Sequence, residues 1–185
     1  MNIFALDDNP VEAARLMCNS HVVKMCVESA QLLSTCTSLL VAGDREQSLL
    51  YRALVAEGAI YRPTHDHHPC VKWLTESVHN REWLRIHTEA LSQEYWERYG
   101  RAKGRVHASR MPAHRVVAEF PEIFSPARPE PDWRLHTRFA LGFMGKYPEL
   151  ASWSDDPVEC YREFYRRDKV RFAKWSAPRS KPEWF

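Results

Sequence analysis

Five polar residues interrupt one apolar stretch of the chain: His21, Lys24, Glu28, Gln31 and Thr35. Their spacing of i, i+3, i+7, i+10 and i+14 lines them along one side of an α-helix. An imidazole, an ammonium and a carboxylate held together are the materials of general acid–base chemistry. Around them Val22, Val23, Cys26, Val27, Ala30 and Leu33 recur with the spacing of a buried helix face, which predicts one long helix from Ser20 to about Leu40. A polar line on such a helix must be solvated, internally paired or turned into a site, because unpaired buried charge is expensive. Two readings stand open. One is a solvated face with an i,i+4 pair between Lys24 and Glu28. The other is a site in which Glu28 is the working carboxylate, with His21 and Lys24 beside it.

The elements that would position this line are helical throughout. Asn9-Pro10 is a helix start, with Asn at the N-cap, Pro at N1 and Glu12 in the first turn, so a short helix runs from Pro10 to about Cys18. A weaker amphipathic segment follows over 45–58, then a loop from Tyr61 to Pro69 bounded by prolines, and a helix from Cys70 through Ser77. The most periodic helix is predicted from Asn80 to Tyr99, with Trp83, Leu84, His87, Leu91, Glu94 and Tyr95 inward and Gly100 as its stop. Further helices are predicted over 108–119 and, after the cap-like Asp155-Asp156-Pro157, from Pro157 to about Trp175. The stretch from Pro121 to Pro131 is expected to be irregular, 132–150 carries no clear period, and the tail SAPRSKPEWF is extended. No alternating strand pattern, internal repeat or Gly-rich phosphate loop occurs. The expected fold class is therefore all-α, in one domain over residues 1–185.

Seven Trp, seven Tyr and eight Phe supply a large core for 185 residues. No apolar run is long enough for a bilayer span, so no membrane partner is expected, and MNIFALDDNP lacks the basic start of a signal peptide. The five cysteines, Cys18, Cys26, Cys36, Cys70 and Cys160, are odd in number and scattered, as reduced thiols are, which suits a cytoplasmic setting.

The net charge of +2 hides an uneven distribution. Between Arg98 and Arg115 lie six basic residues and no acid: Arg98, Arg101, Lys103, Arg105, Arg110 and Arg115. From Tyr161 to the end, eight Lys/Arg stand against three acids, with seven aromatics among them. Cations interleaved with rings suit a polyanion with exposed bases. The plainer reading, amphipathic helices with solvated cations, explains Phe164, Phe172 and Trp175 but not the acid-free run. The expected nucleic-acid contacts are Arg98, Arg101, Lys103, Arg105 and Arg110, then Arg166, Arg167, Lys174 and Trp175.

His65, His67 and His68 crowd into HDHHPC. Structural zinc draws its ligands from two separated knuckles, and no CxxC or HxxxH partner occurs, so no metal and no cofactor is expected. One or two of these imidazoles are instead expected to face the pocket of Glu28, at a helix start whose backbone N–H groups attract phosphate, with Lys72 further along; all three and Lys72 are expected nucleic-acid contacts. Pro69 would hold that turn rigid. For Asn80 capping, and for Trp83 core packing, are the preferred roles.

The segment HVVKMCVE, the turn containing His68-Pro69 and the helix REWLRIHTEALSQEYWERYG together resemble the pyrimidine-dimer DNA glycosylase family, the endonuclease V type of T-even phages. The chain is also similar to a phage-type branch carrying HVVKM, HPCVKW and a terminal PEWF. In the family a His near the start of the central helix precedes the catalytic Glu by seven residues, and His21 and Glu28 take these positions without a gap. The resemblance implies a compact helical enzyme in which a free N-terminal amine attacks the sugar C1′, expels the base and leaves an imine that leads to strand cleavage. It also implies double-stranded DNA as partner and a monomer working in the cytoplasm, that of the host for a phage-encoded protein. An α-amine titrates near neutrality and so supplies a nucleophile at physiological pH.

The family's nucleophile is a Thr amine exposed by loss of the initiator Met. This chain has Asn2 there, and a longer leader before His21. The Met1 amine, an amine at Asn2, or Lys24 could therefore take the role, or no imine forms. Base modification or exchange on the same scaffold, and non-catalytic nucleic-acid binding or inhibition, are the alternative functions.

Overall fold

The computed structural model describes residues 1–124 and 132–185. Every regular element among them is helical, and no strand occurs there. The first helix, α1 (Pro10–Leu16), begins where Asn9 Oδ1 accepts the Val11 N–H at 2.9 Å. The central helix α2 (Asn19–Leu40) has no side-chain cap, and the Cys18 N–H instead donates to the Tyr165 hydroxyl at 3.0 Å. Asp44 caps α3 (Arg45–Ala56), His68 caps α4 (Pro69–Glu76) and Ser77 caps α5 (Val78–Tyr95).

Gly100 does not end that last helix. The chain continues through a π-turn (Trp96–Gly100) into α6 (Arg101–Lys103), and Gly104, at φ +61°, makes the left-handed stop. A Cβ on Gly100 would meet the Arg105 carbonyl at 2.6 Å, so the glycine is needed for close approach rather than for the turn. Then come α7 (Arg110–Glu119) and α8 (Pro121–Phe124), the latter a short helix where irregular chain was expected. The rest of that proline-rich expectation lies outside the described residues. The last helix, α9 (Pro157–Lys169), is capped by Asp156 and stops short of Trp175.

The long helices α2 and α5 pack side by side and run antiparallel. Arg98, beyond the C-terminal end of α5, reaches Asn19 at the start of α2, while Arg81, near its other end, lies close to Cys36. α1 packs on α5, and α4 and α7 pack on α2. The inward face of α5 holds Trp83, Leu84, His87, Leu91 and Glu94 as expected, whereas Tyr95 is only half-buried. On α2, Val22, Cys26, Ala30 and Leu33 are buried, but Val23 is exposed and Met25 and Leu32 are inside instead. Asn80 does not cap a helix; it is fully buried and ties the later chain to α5. Its amide donates to the Trp73 carbonyl at 2.6 Å and accepts the Thr137 N–H at 2.8 Å. All five cysteines are free and buried. No described helix is long and apolar enough to cross a membrane.

Candidate active site

The first six residues form an arm laid along α2. Ile3, Ala5 and Leu6 are fully buried and Phe4 almost so. Asn2 organises the arm's turn, since its Oδ1 accepts the N–H groups of Ile3 (2.8 Å) and Phe4 (3.2 Å). Phe4 holds a φ of +44°, a conformation a bulky residue keeps only where its surroundings impose it.

Other parts of the chain meet the polar line of α2 at three levels, the arm at two of them. At the middle level the Asn2 backbone N–H donates to Glu28 Oε2 at 2.9 Å. The other carboxylate oxygen, Oε1, lies 3.1 Å from Lys24 Nζ, in the i,i+4 pair that the spacing predicts. The Glu28 side chain is 14% exposed and that of Lys24 is 63% exposed, so a shielded carboxylate stands beside a solvent-facing amine. At the far level Thr35 Oγ1 exchanges hydrogen bonds with the backbone of Thr64, which fastens the histidine loop to the same helix.

At the near level His21 does not join Glu28. Seven residues along a helix separate them by about 10 Å, and the imidazole is 3% exposed in an aromatic cluster. Its ring centroid lies 4.5 Å from Phe4, 5.1 Å from Tyr165 and 5.8 Å from Phe172. Burial, with the nearby charges of Lys169 and Lys24, pushes its pKa down to about 3 against the opposing pull of Asp168, and Nδ1 has no partner among the described residues. His21 thus packs against Phe4 inside the aromatic cluster, apart from the carboxylate with which it shares a helical line.

The histidine turn divides. His67 is exposed and lies 3.7 Å from Asp66, and His65, also exposed, holds φ +54° with Nδ1 2.7 Å from Thr64 Oγ1. His68 Nδ1 accepts the Cys70 N–H at 3.2 Å, so the proton of its neutral ring sits on Nε2. Burial lowers its pKa to about 4, reinforced by the Met1 amine and His65 and opposed by Glu28, which puts these groups in one electrostatic neighbourhood. Lys72 is exposed on α4. Among the described residues no group of His, Cys, Asp and Glu is arranged to hold a metal ion.

The expected phosphate-binding cations fall into two sets. Arg101, Lys103, Arg105 and Lys174 are exposed. Of these, Lys174 lies at the N-terminal end of α2, where its carbonyl accepts the Asn19 N–H, and Arg101, Lys103 and Arg105 follow Arg98, which donates to Asn19 Oδ1. The second set is engaged within the fold. Arg98, its side chain fully buried, pairs with Glu94 at 2.8 Å and donates to the carbonyls of Met17 and Arg15. Arg110 pairs with Glu89, and Arg166 and Arg167 both pair with Glu163. Trp175 donates from Nε1 to the Leu16 carbonyl and packs on Phe185. The Arg98 guanidinium thus lies among four acceptors, from Glu94, Met17, Asn19 and Arg15, inside the fold.

Phe4 and the residues of α9 around the arm, Tyr161, Phe164 and Tyr165, escaped the sequence reading of the site. Only the aromatic content of 161–185 signalled them, and it read equally well as core.

A model of the pyrimidine dimer DNA glycosylase family matches residues 1–107, a stretch that contains the arm, Lys24, Glu28, the histidine turn and the first exposed cations. No curated protein and no solved structure matches the chain. With more than half its length inside that match, and an amino-terminal arm seated on a shielded carboxylate, the chain belongs to the pyrimidine dimer DNA glycosylase family.

Proposed function

We propose that this protein excises a damaged or modified base from double-stranded DNA by cleaving its N-glycosidic bond, with Glu28 as the catalytic carboxylate. The observation that carries the reading is the seat of Glu28, whose two oxygens meet the Asn2 N–H at 2.9 Å and the Lys24 ammonium at 3.1 Å. The peptide N–H next to the Met1 amine and the ammonium on α2 thus both meet one mostly shielded carboxylate.

In the proposed reaction an unprotonated amine attacks C1′ of the sugar. The C1′–base bond breaks, and the base leaves with the bonding electrons and takes up a proton. Glu28 stabilises the positive charge that builds on the sugar and accepts the proton lost by the attacking nitrogen. The nitrogen lone pair then opens the sugar, breaking C1′–O4′ as O4′ takes up a proton from Glu28, and the imine so formed acidifies C2′; loss of a C2′ proton expels the 3′ phosphate and cleaves the strand. The amine at the head of the chain, that of Met1 or, after its removal, of Asn2, is the proposed nucleophile, and Lys24 stands as the second candidate. The exposed Arg101, Lys103, Arg105 and Lys174 are proposed to hold the backbone phosphates while the damaged base leaves the stack.

Borohydride trapping on UV-irradiated, abasic and undamaged duplexes, followed by intact and peptide mass measurement, tests this reading. An adduct on Met1 or Asn2, absent in Glu28→Gln while DNA binding persists, is the expected result. An adduct on Lys24 moves the nucleophile onto α2. No adduct and no released base on any duplex overturns the proposal.

A further inference from the structure

Beside the Asn2–Glu28 hydrogen bond lies a tight place built from chain beyond the family match. A Cβ placed on Gly142 would stand 2.9 Å from Asn2 Oδ1, 3.0 Å from Asn2 Cγ and 2.9 Å from Cys70 Sγ. The glycine has no positive φ, so its backbone is open to any residue, and the constraint is space alone. Gly142 is itself held, since its N–H donates to the Tyr161 hydroxyl at 3.0 Å and that hydroxyl donates to the Ala140 carbonyl at 2.7 Å. Tyr161 is fully buried on α9, and Cys70 fully buried on α4. Gly142 therefore lies against Asn2 and Cys70 together, in a slot with no room for a Cβ.

We infer that Gly142 is a positioning residue for the reaction: it seats Asn2 so that the head of the chain is aimed at Glu28. This rests on the reading of Glu28 as the working carboxylate. Cys70 is fixed by a helix, whereas Asn2 belongs to a single arm, so a methyl at position 142 displaces Asn2. Ordinary contact requires a shift of roughly 0.5 Å or more. Asn2 Oδ1 carries the Ile3 and Phe4 N–H bonds, so displacing that side chain opens the turn that directs Asn2's own N–H. Residues following the matched portion thereby complete a site whose chemistry lies within it.

Gly142→Ala tests the inference. In 15N-labelled protein Glu28→Gln should move the Asn2 amide resonance, which loses its partner, and should leave it unmoved when Gly142→Ala is already present. On an abasic duplex, kcat and the yield of trapped adduct should fall about a hundredfold, as a displacement of this order produces, with KM unchanged. Adding Cys70→Ala vacates the other side of the slot and should restore both readouts. Should Gly142→Ala fail to fold, Tyr161→Phe keeps the ring and releases the Gly142 N–H, and about a tenfold loss in kcat is expected. A Gly142→Ala protein whose Asn2 amide still moves on Glu28→Gln and which turns over normally overturns the inference. A wild type inactive on every duplex, with the amide response still abolished by Gly142→Ala, overturns the proposed function and leaves the seating of Asn2 established.

Discussion

Arg98→Met separates a phosphate contact from an internal tie. The Arg98 side chain is fully buried and Glu94 nearly so, at 3% side-chain exposure. Removing the guanidinium withdraws one partner of a buried ion pair, a change that typically destabilises by about 3–5 kcal/mol. It also frees the carbonyls of Met17 and Arg15 and the Asn19 side chain. Glu94 keeps Arg179, whose guanidinium lies 2.6 Å from Oε1, which places the loss toward the lower end, about 3 kcal/mol. For a chain of this length each kcal/mol moves the melting temperature by about 2–4 °C, so a fall of about 6–12 °C is expected. The assay pairs a calorimetric melt with DNA affinity measured across salt concentrations. The slope of log K against log salt should match that of the wild type, because Arg98 faces protein. A melting temperature within 2 °C of wild type, together with a slope reduced by about one phosphate's worth, ~0.9, would refute the reasoning.

The exposed cations should behave in the opposite way: Arg101→Glu with Lys103→Glu weakens DNA binding and flattens its salt dependence while the melt is unchanged. An unaltered salt slope removes this run from the DNA interface. Acid should destabilise the fold through its buried neutral imidazoles. His21 and His87 keep folded pKa values of about 3 and about 4, against 6.5 when unfolded, so the unfolded chain binds protons first as pH falls. Their contribution is complete above about pH 6.5 and declines from there toward pH 4, by about 2 kcal/mol each at pH 5. Denaturant unfolding at pH 7.5 and 5 checks this: the wild type should lose stability, and His21→Phe should lose less. An equal loss in both proteins would clear His21 of the effect.

What the sequence determined by itself is what short-range chemistry determines. The pairs Asn9-Pro10 and Asp156-Pro157 start helices because cap and first turn are adjacent in the chain. Lys24 meets Glu28 because four residues make one helical turn. Trp83 goes inside because its neighbours at helical spacing do. Tertiary structure decided the rest. His21 and Glu28 share a helical line, yet Phe4 and Tyr165 of α9 draw the imidazole into the core, while the carboxylate keeps a partly open seat beside the solvent-facing Lys24. Counting charge from Arg98 onward passes over Glu94 one turn earlier, and only the tail's Arg179 arriving at the same carboxylate shows how completely that corner is enclosed. Gly142 lies in a stretch without period, and its meaning comes from what two distant segments press against it. Local propensity is read over a few residues, whereas a slot exists only where separate elements converge, so the carboxylate was legible in the sequence and the seat that presents the amino terminus to it was not.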